Sequence, residues 1–215
     1  MAIELERNKE DFKALLTSTK RPGMENLLEF VESTDFYKAP ASTRFHMAVE
    51  GGLCQHSLNV YNCLMAKKQN PVWAKALEGI GEDSIAIVAL LHDLCKADLY
   101  EKDYRNEKTY DEKIVAAAEK WQVKKDEKGS FIWHTVPSYK ISDNRVPLGH
   151  GEKSALLVQG FIQLSLNEVM AIRWHMGFTE PKDIWNDLGY AMEKHPLVLA
   201  LHEADLEATK LLETD

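Results

Sequence analysis

Long apolar runs are missing from this 215-residue chain: the longest covers residues 85–91, seven in all. A membrane helix needs about 20, so no transmembrane segment is expected. The opening residues, Met1-Ala2-Ile3-Glu4-Leu5-Glu6, carry neither the basic nor the apolar region of a signal peptide. Cysteine is scarce and unpaired in pattern, with Cys54, Cys63 and Cys95 and no CxxC; this fits reduced thiols and a cytoplasmic protein better than a disulfide framework. There is no basic excess either. Lys and Arg number 26 against 34 acids, a net charge of −8, which argues against long nucleic acid as a partner but leaves room for a small anion in a locally positive cleft. Repeats, low-complexity tracts and flexible linkers are absent, so residues 1–215 read as one domain.

What is present is helical periodicity. Ile3, Leu5, Phe12, Leu15 and Leu16 stand among charges as on an amphipathic surface helix over 3–17, broken by Lys20-Arg21-Pro22-Gly23. A second short helix is expected over 24–31, and a third over about 53–68 with His56 on its apolar face. The most apolar helix, about 82–98, is interrupted only at His92-Asp93. Residues 100–148 read differently. They are highly charged, with a helix near 111–121, then a β-forming stretch 131–136 stopped by Pro137, with 139–141 pairing back and a turn at Ser142-Asp143-Asn144. This segment is expected to be an insertion with a small hairpin. Helical patterns return at 151–165, at 168–176 with Asn167 as cap and Gly177 as stop, at 181–194, and from Pro196 to about 212. On the last, Val198, Leu201, Asp205 and Leu206 share one side.

Six polar residues stand out against this apolar background: His56, His92, Asp93, His150, His175 and Asp205, on or beside five separate helices. A single buried histidine is more often a satisfied core residue than a ligand. An imidazole or carboxylate in apolar surroundings is costly unless hydrogen-bonded, paired or bound to a cation. Chance accounts for one or two such placements, not for six. Nitrogen and oxygen donors converging from several helices suit one or two first-row divalent ions in a bundle core.

The series His56 … His92-Asp93 … Asp205, with Lys96 three residues after Asp93 and His150 and His175 added, resembles the HD-domain superfamily of metal-dependent phosphohydrolases, in its dinuclear subset. The stretch Pro40-Ala41-Ser42 … His46 … Gly51-Gly52-Leu53 … His56-Ser57 is similar to the HD domain of bacterial three-prime exoribonucleases, whose nucleic-acid-binding front domain has no counterpart here. Cys95 departs from the glycine often found there. The resemblance covers about 39–100 and 147–210 and implies an all-α HD-domain bundle, here carrying the hairpin insertion. It implies a first metal held by His56, His92, Asp93 and Asp205, and a second held by His150 and His175, with Asp93 bridging the two. The metals would be Mn or Fe, ahead of Zn, Ni, Co or Mg. A bridging hydroxide would attack a phosphoester. The implied function is hydrolysis of a nucleotide or other small phosphorylated metabolite. An HD-fold diiron oxygenase fits the same ligands, and a non-catalytic binding module fits them less well.

For the substrate, Lys96 falls one turn after His92, where its ammonium can reach a phosphate; a solvated lysine at a helix end is the plainer alternative. Arg44 and Lys153 are further phosphate candidates, the latter because a cation in a helix's first turn opposes the dipole. Arg173 is weaker, pointing away from His175. His202 reads as a supporting or packing residue, while His46, His134 and His195 carry no strong claim. Trp133, Tyr139 and Phe131 offer flat apolar surface, and the insertion's two ends lie beside the site, so a substrate lid is expected there.

Overall fold

In this computed structural model residues 3–143 and 145–214 are described; the first two residues of the expected leaderless start and Asn144 of the expected turn fall outside them. The helices are α1 Leu5–Ser18, α2 Met24–Ser33, α3 Gly52–Gln69, α4 Pro71–Ala74, α5 Glu82–Leu91, α6 Glu112–Ala117, α7 His150–Gln159, α8 Leu166–Trp174, α9 Trp185–Lys194 and α10 Pro196–Glu207. The fold is mainly α. In α5 every residue from Ile85 to Leu91 is buried, and the helix packs against α1, α3 and α8, while α10 packs on α3 and α8. An all-round apolar helix has nowhere to lie but the centre.

The helix expected over 82–98 is shorter. It ends at Leu91, His92 is its C-cap, Asp93 turns out at φ −108°, and Leu94–Lys96 form one 3₁₀ turn. A polar pair beside carbonyls that lack intrahelical partners ends the helix. Ser165, not Asn167, caps α8, because its hydroxyl accepts from the Glu168 amide while the Glu168 carboxylate accepts from the Ser165 amide. The last helix continues past Glu207 as a π turn over Ala208–Leu212.

The insertion is a three-stranded antiparallel sheet in the order β1-β3-β2, formed by β1 Tyr100–Thr109, β2 Lys124–Asp126 and β3 Gly129–Ile141. Pro137 does not stop the strand. It lies inside β3 opposite Tyr104, where β3 is paired on one side only, and the other edge can take the missing N–H. Residues 139–141 therefore pair with Tyr100 to Lys102, not back on 131–136. The sheet forms an arm anchored where Tyr100 meets Ile141.

Candidate metal centre

The α5 terminus, α3 and α8 bring four of the six predicted residues to one buried point, and α10 adds a fifth. His56, on the inner face of α3, is fully buried, as are His92 and His175 at the C-terminal ends of α5 and α8, and Asp93 is 2 % exposed. Their rings meet edge to face: centroids are 5.4 Å apart for His56 and His92 and 4.9 Å for His92 and His175. Asp93 lies between them, with Oδ2 3.3 Å from His92 Nε2 and Oδ1 3.6 Å from His175 Nε2. The fifth, Asp205 of α10, brings Oδ1 to 3.3 Å from His56 Nε2.

Each ring is oriented from behind. His92 Nδ1 lies 2.8 Å from the Ala89 carbonyl and His175 Nδ1 2.7 Å from that of Ile172, one turn back in each case. His56 Nδ1 is 2.9 Å from Glu213 Oε1, which also accepts from Asn59. Carbonyls and a carboxylate only accept, so Nδ1 carries a proton in each ring and Nε2 faces the centre, where it offers a lone pair once the ring is neutral. The carbonyl of His175 in turn accepts from His202 Nδ1. Gly177, at φ +57°, makes room for this, since a Cβ there would run into the His202 ring.

Five buried atoms here have no hydrogen-bond partner: Nε2 of His46, His56, His92 and His175, and Oδ1 of Asp93. An orphaned buried polar group costs about 1–3 kcal/mol. Five would cost roughly 5–15 kcal/mol, as much as the whole stability of an ordinary domain. Protons relieve part of it. Burial opposes the charged form of His56, but the carboxylates of Asp205 and Glu213 outweigh it and push the ring up to about 10. Burial likewise opposes ionisation of Asp93, yet Lys96 and His92 hold its carboxyl well below the usual range. A cation would relieve the rest. The described residues contain four groups of three donors close enough to share an ion: His46-His56-Glu213, His56-His92-Asp93, His92-His175-Asp205 and Asp93-Cys95-His150.

The sixth predicted residue, His150, opens α7 at the rim and is exposed. Its Nδ1 is 3.3 Å from Cys95 Sγ, a thiol that burial pushes up to about 12. Lys96 is not free: Nζ is 2.6 Å from Asp93 Oδ2 and donates to the Ala41 carbonyl at 2.9 Å. Lys153 Nζ donates to the Cys95 carbonyl at 2.9 Å. Arg173 pairs with Glu152 and Glu180, and Arg44 lies exposed over the Phe45 ring.

Trp133, expected in a lid, lies far along the arm from its base. Trp133 sits opposite Lys108, eight residues along β1 from Tyr100, or roughly 26 Å at ~3.3 Å per residue. It packs with Phe131 and Lys108 within the arm itself. Tyr139, opposite Lys102, is near the base.

Three participants escaped the sequence reading. Glu213 follows Asp205 by eight residues, a spacing that returns to the same stripe of a helix, but it stands just past the expected helix end near 212, where a glutamate reads as a solvated terminus. His46 has its ring 4.9 Å from that of His56, but it comes from an irregular loop that has no periodicity to read. Cys95 was noted only as a departure from pattern, and its contact with His150 depends on tertiary packing. No family model, curated protein or solved structure matches the chain.

Proposed function

We propose that this chain is a metal-dependent phosphohydrolase acting on a small phosphorylated metabolite, with the HD-domain resemblance of its ligand series as the guide to roles. The observation that carries the reading is the convergence of three buried, unpartnered histidine Nε2 atoms and an unpartnered Asp93 oxygen from three helices. The donor set fits the ions: imidazole and carboxylate suit Mn, Fe or Zn. His56, His92, Asp93 and Asp205 would hold one ion; His150, His175 and Asp93 would hold a second. Bound there, the ions would lower the pKa of water and polarise the phosphoryl oxygens.

The chain's own residues do the rest. Glu213 and the two helix-end carbonyls fix the ring tautomers, and Lys96 neutralises Asp93 and keeps it anionic in a dry site. Elemental analysis of protein purified without chelator, coupled to a phosphoester screen with added Mn, tests the proposal. The expected result is about two ions per chain and phosphate release that chelator abolishes. Two irons, dioxygen uptake and no phosphate release would replace it by an oxygenase.

A further inference from the structure

We propose that the cavity between the 3₁₀ turn at Leu94–Lys96, the base of the arm and the loop before α7 binds the organic body and anionic group of a small phosphorylated substrate. The proposal rests on the hydrolase reading and names where that substrate sits. The cavity measures about 270 Å³ and has His150 and Cys95 on the side that joins the metal centre. Leu99, Ile141, Val146 and Leu148 give it apolar walls, and Arg145 and Lys153 supply two cations.

Three features single it out. In a chain of net charge −8, none of its nine lining residues is acidic. A larger groove of about 580 Å³ between α1 and α3 carries Glu4 and Asp11 and none of the ligand candidates. Arg145 forms no ion pair with any described residue, whereas Arg21 and Arg173 are both paired to carboxylates. An exposed guanidinium beside apolar walls and without a carboxylate partner suits a bidentate anion such as phosphate. The third feature is size. Just below the ~300–1,000 Å³ typical of ligand sites, the cavity suits no more than a single ring and its phosphate and excludes an oligonucleotide. Val146 and Leu148, about half exposed, are the walls such a ring would cover.

The test uses the metal-loaded protein and phenylphosphonate, whose P–C bond resists hydrolysis, with methylphosphonate as the ringless control, both followed by calorimetry. Wild type should bind phenylphosphonate the tighter. Leu148→Trp fills the cavity and should weaken phenylphosphonate about tenfold while sparing methylphosphonate. Arg145→Gln removes a charge-assisted contact and should weaken both about tenfold. Metal content and far-ultraviolet dichroism should stay at wild-type values in both variants. Unchanged phenylphosphonate affinity in both folded variants overturns the cavity assignment even if metal-dependent phosphate release is found. Weakened binding in both, with no phosphoester cleaved under any metal, keeps the cavity and overturns the hydrolase reading.

Discussion

Two buried polar clusters sit at opposite ends of α5, and they solve the same problem in opposite ways. At its N-terminus Arg21 donates to Asp83 at 2.9 and 3.0 Å and pairs with the fully buried Glu168 at 2.5 Å. Glu168 also accepts from the Ser84 hydroxyl and the Ser165 amide, each at 2.7 Å. No atom of that cluster is left over. At the C-terminus His92, Asp93 and their neighbours leave five buried atoms unpaired. A closed network ties the α1–α2 turn, α5 and α8 together. An open one, more deeply buried than the closed one, is a cost the fold carries for something outside the protein chain, and donor type and geometry point to cations.

The comparison predicts which mutations separate function from stability. The largest effect belongs to Asp93→Ala, since Asp93 lies within 4 Å of His56, His92, His175 and Lys96 together. Metal content should fall to near zero and activity by far more than the ~100-fold that loss of a supporting residue costs. Two ions retained in folded Asp93→Ala protein would refute the central role. Next comes Glu168→Ala. It leaves Arg21 with a weaker partner in Asp83 and should destabilise by ~3–5 kcal/mol in urea unfolding. Its metal stoichiometry should match wild type, and a loss of metal there would erase the distinction between the clusters.

A smaller effect tests the boundary of the open cluster. Glu213 touches no proposed ion but fixes His56 through Nδ1. Glu213→Gln keeps the shape and loses the carboxylate, so metal affinity should drop by about 10–100-fold, with the unfolding midpoint of the chelated protein changing little. Equal metal affinity in wild type and variant would make Glu213 a packing residue only.

Much of this was legible from residue order. Most helices followed from apolar spacing, because burial of one face is a local pattern with a fixed period, but those expected over 82–98 and 151–165 end early, at Leu91 and Gln159, and α4 Pro71–Ala74 was not foreseen. Five of the six ligand candidates meet as expected, since a polar residue on an apolar stripe has one direction to point. The arm was misread in pairing and reach. Pro137 signals a strand end only where both edges are paired, and which edge is open is a tertiary fact. The lid idea took the insertion's anchored ends as proof of where its aromatics lie. A strand of 13 residues carries them away instead: Trp133 is at the far half of the arm, and Ile141 at its base lines the cavity. Lys96, a phosphate candidate by helix face, is held on Asp93 once the helix ends at Leu91.

The last predicted effect is on pH, and its sign differs between the clusters. Glu168 is buried, which by itself raises a carboxyl, but Arg21 and Ser84 outweigh this and hold it below its ordinary 4.5. A lowered folded value means stability present above the unfolded pKa and lost as pH falls below about 4.5. His56 behaves in reverse. In metal-free protein its folded value is about 10 against an ordinary 6.5, so its contribution is complete below 6.5 and disappears as pH climbs toward 10. A bound cation replaces that proton, because a metal-ligating imidazole is neutral. Thermal midpoints from pH 5 to 10 should therefore decline on the alkaline side in chelator and stay level with Mn present. Glu168→Gln should leave that alkaline decline intact, and His56→Gln should remove it. The same alkaline decline with and without Mn would show that His56 is a structural imidazolium like any salt-bridged cation, and the two ends of α5 would then differ in sign alone.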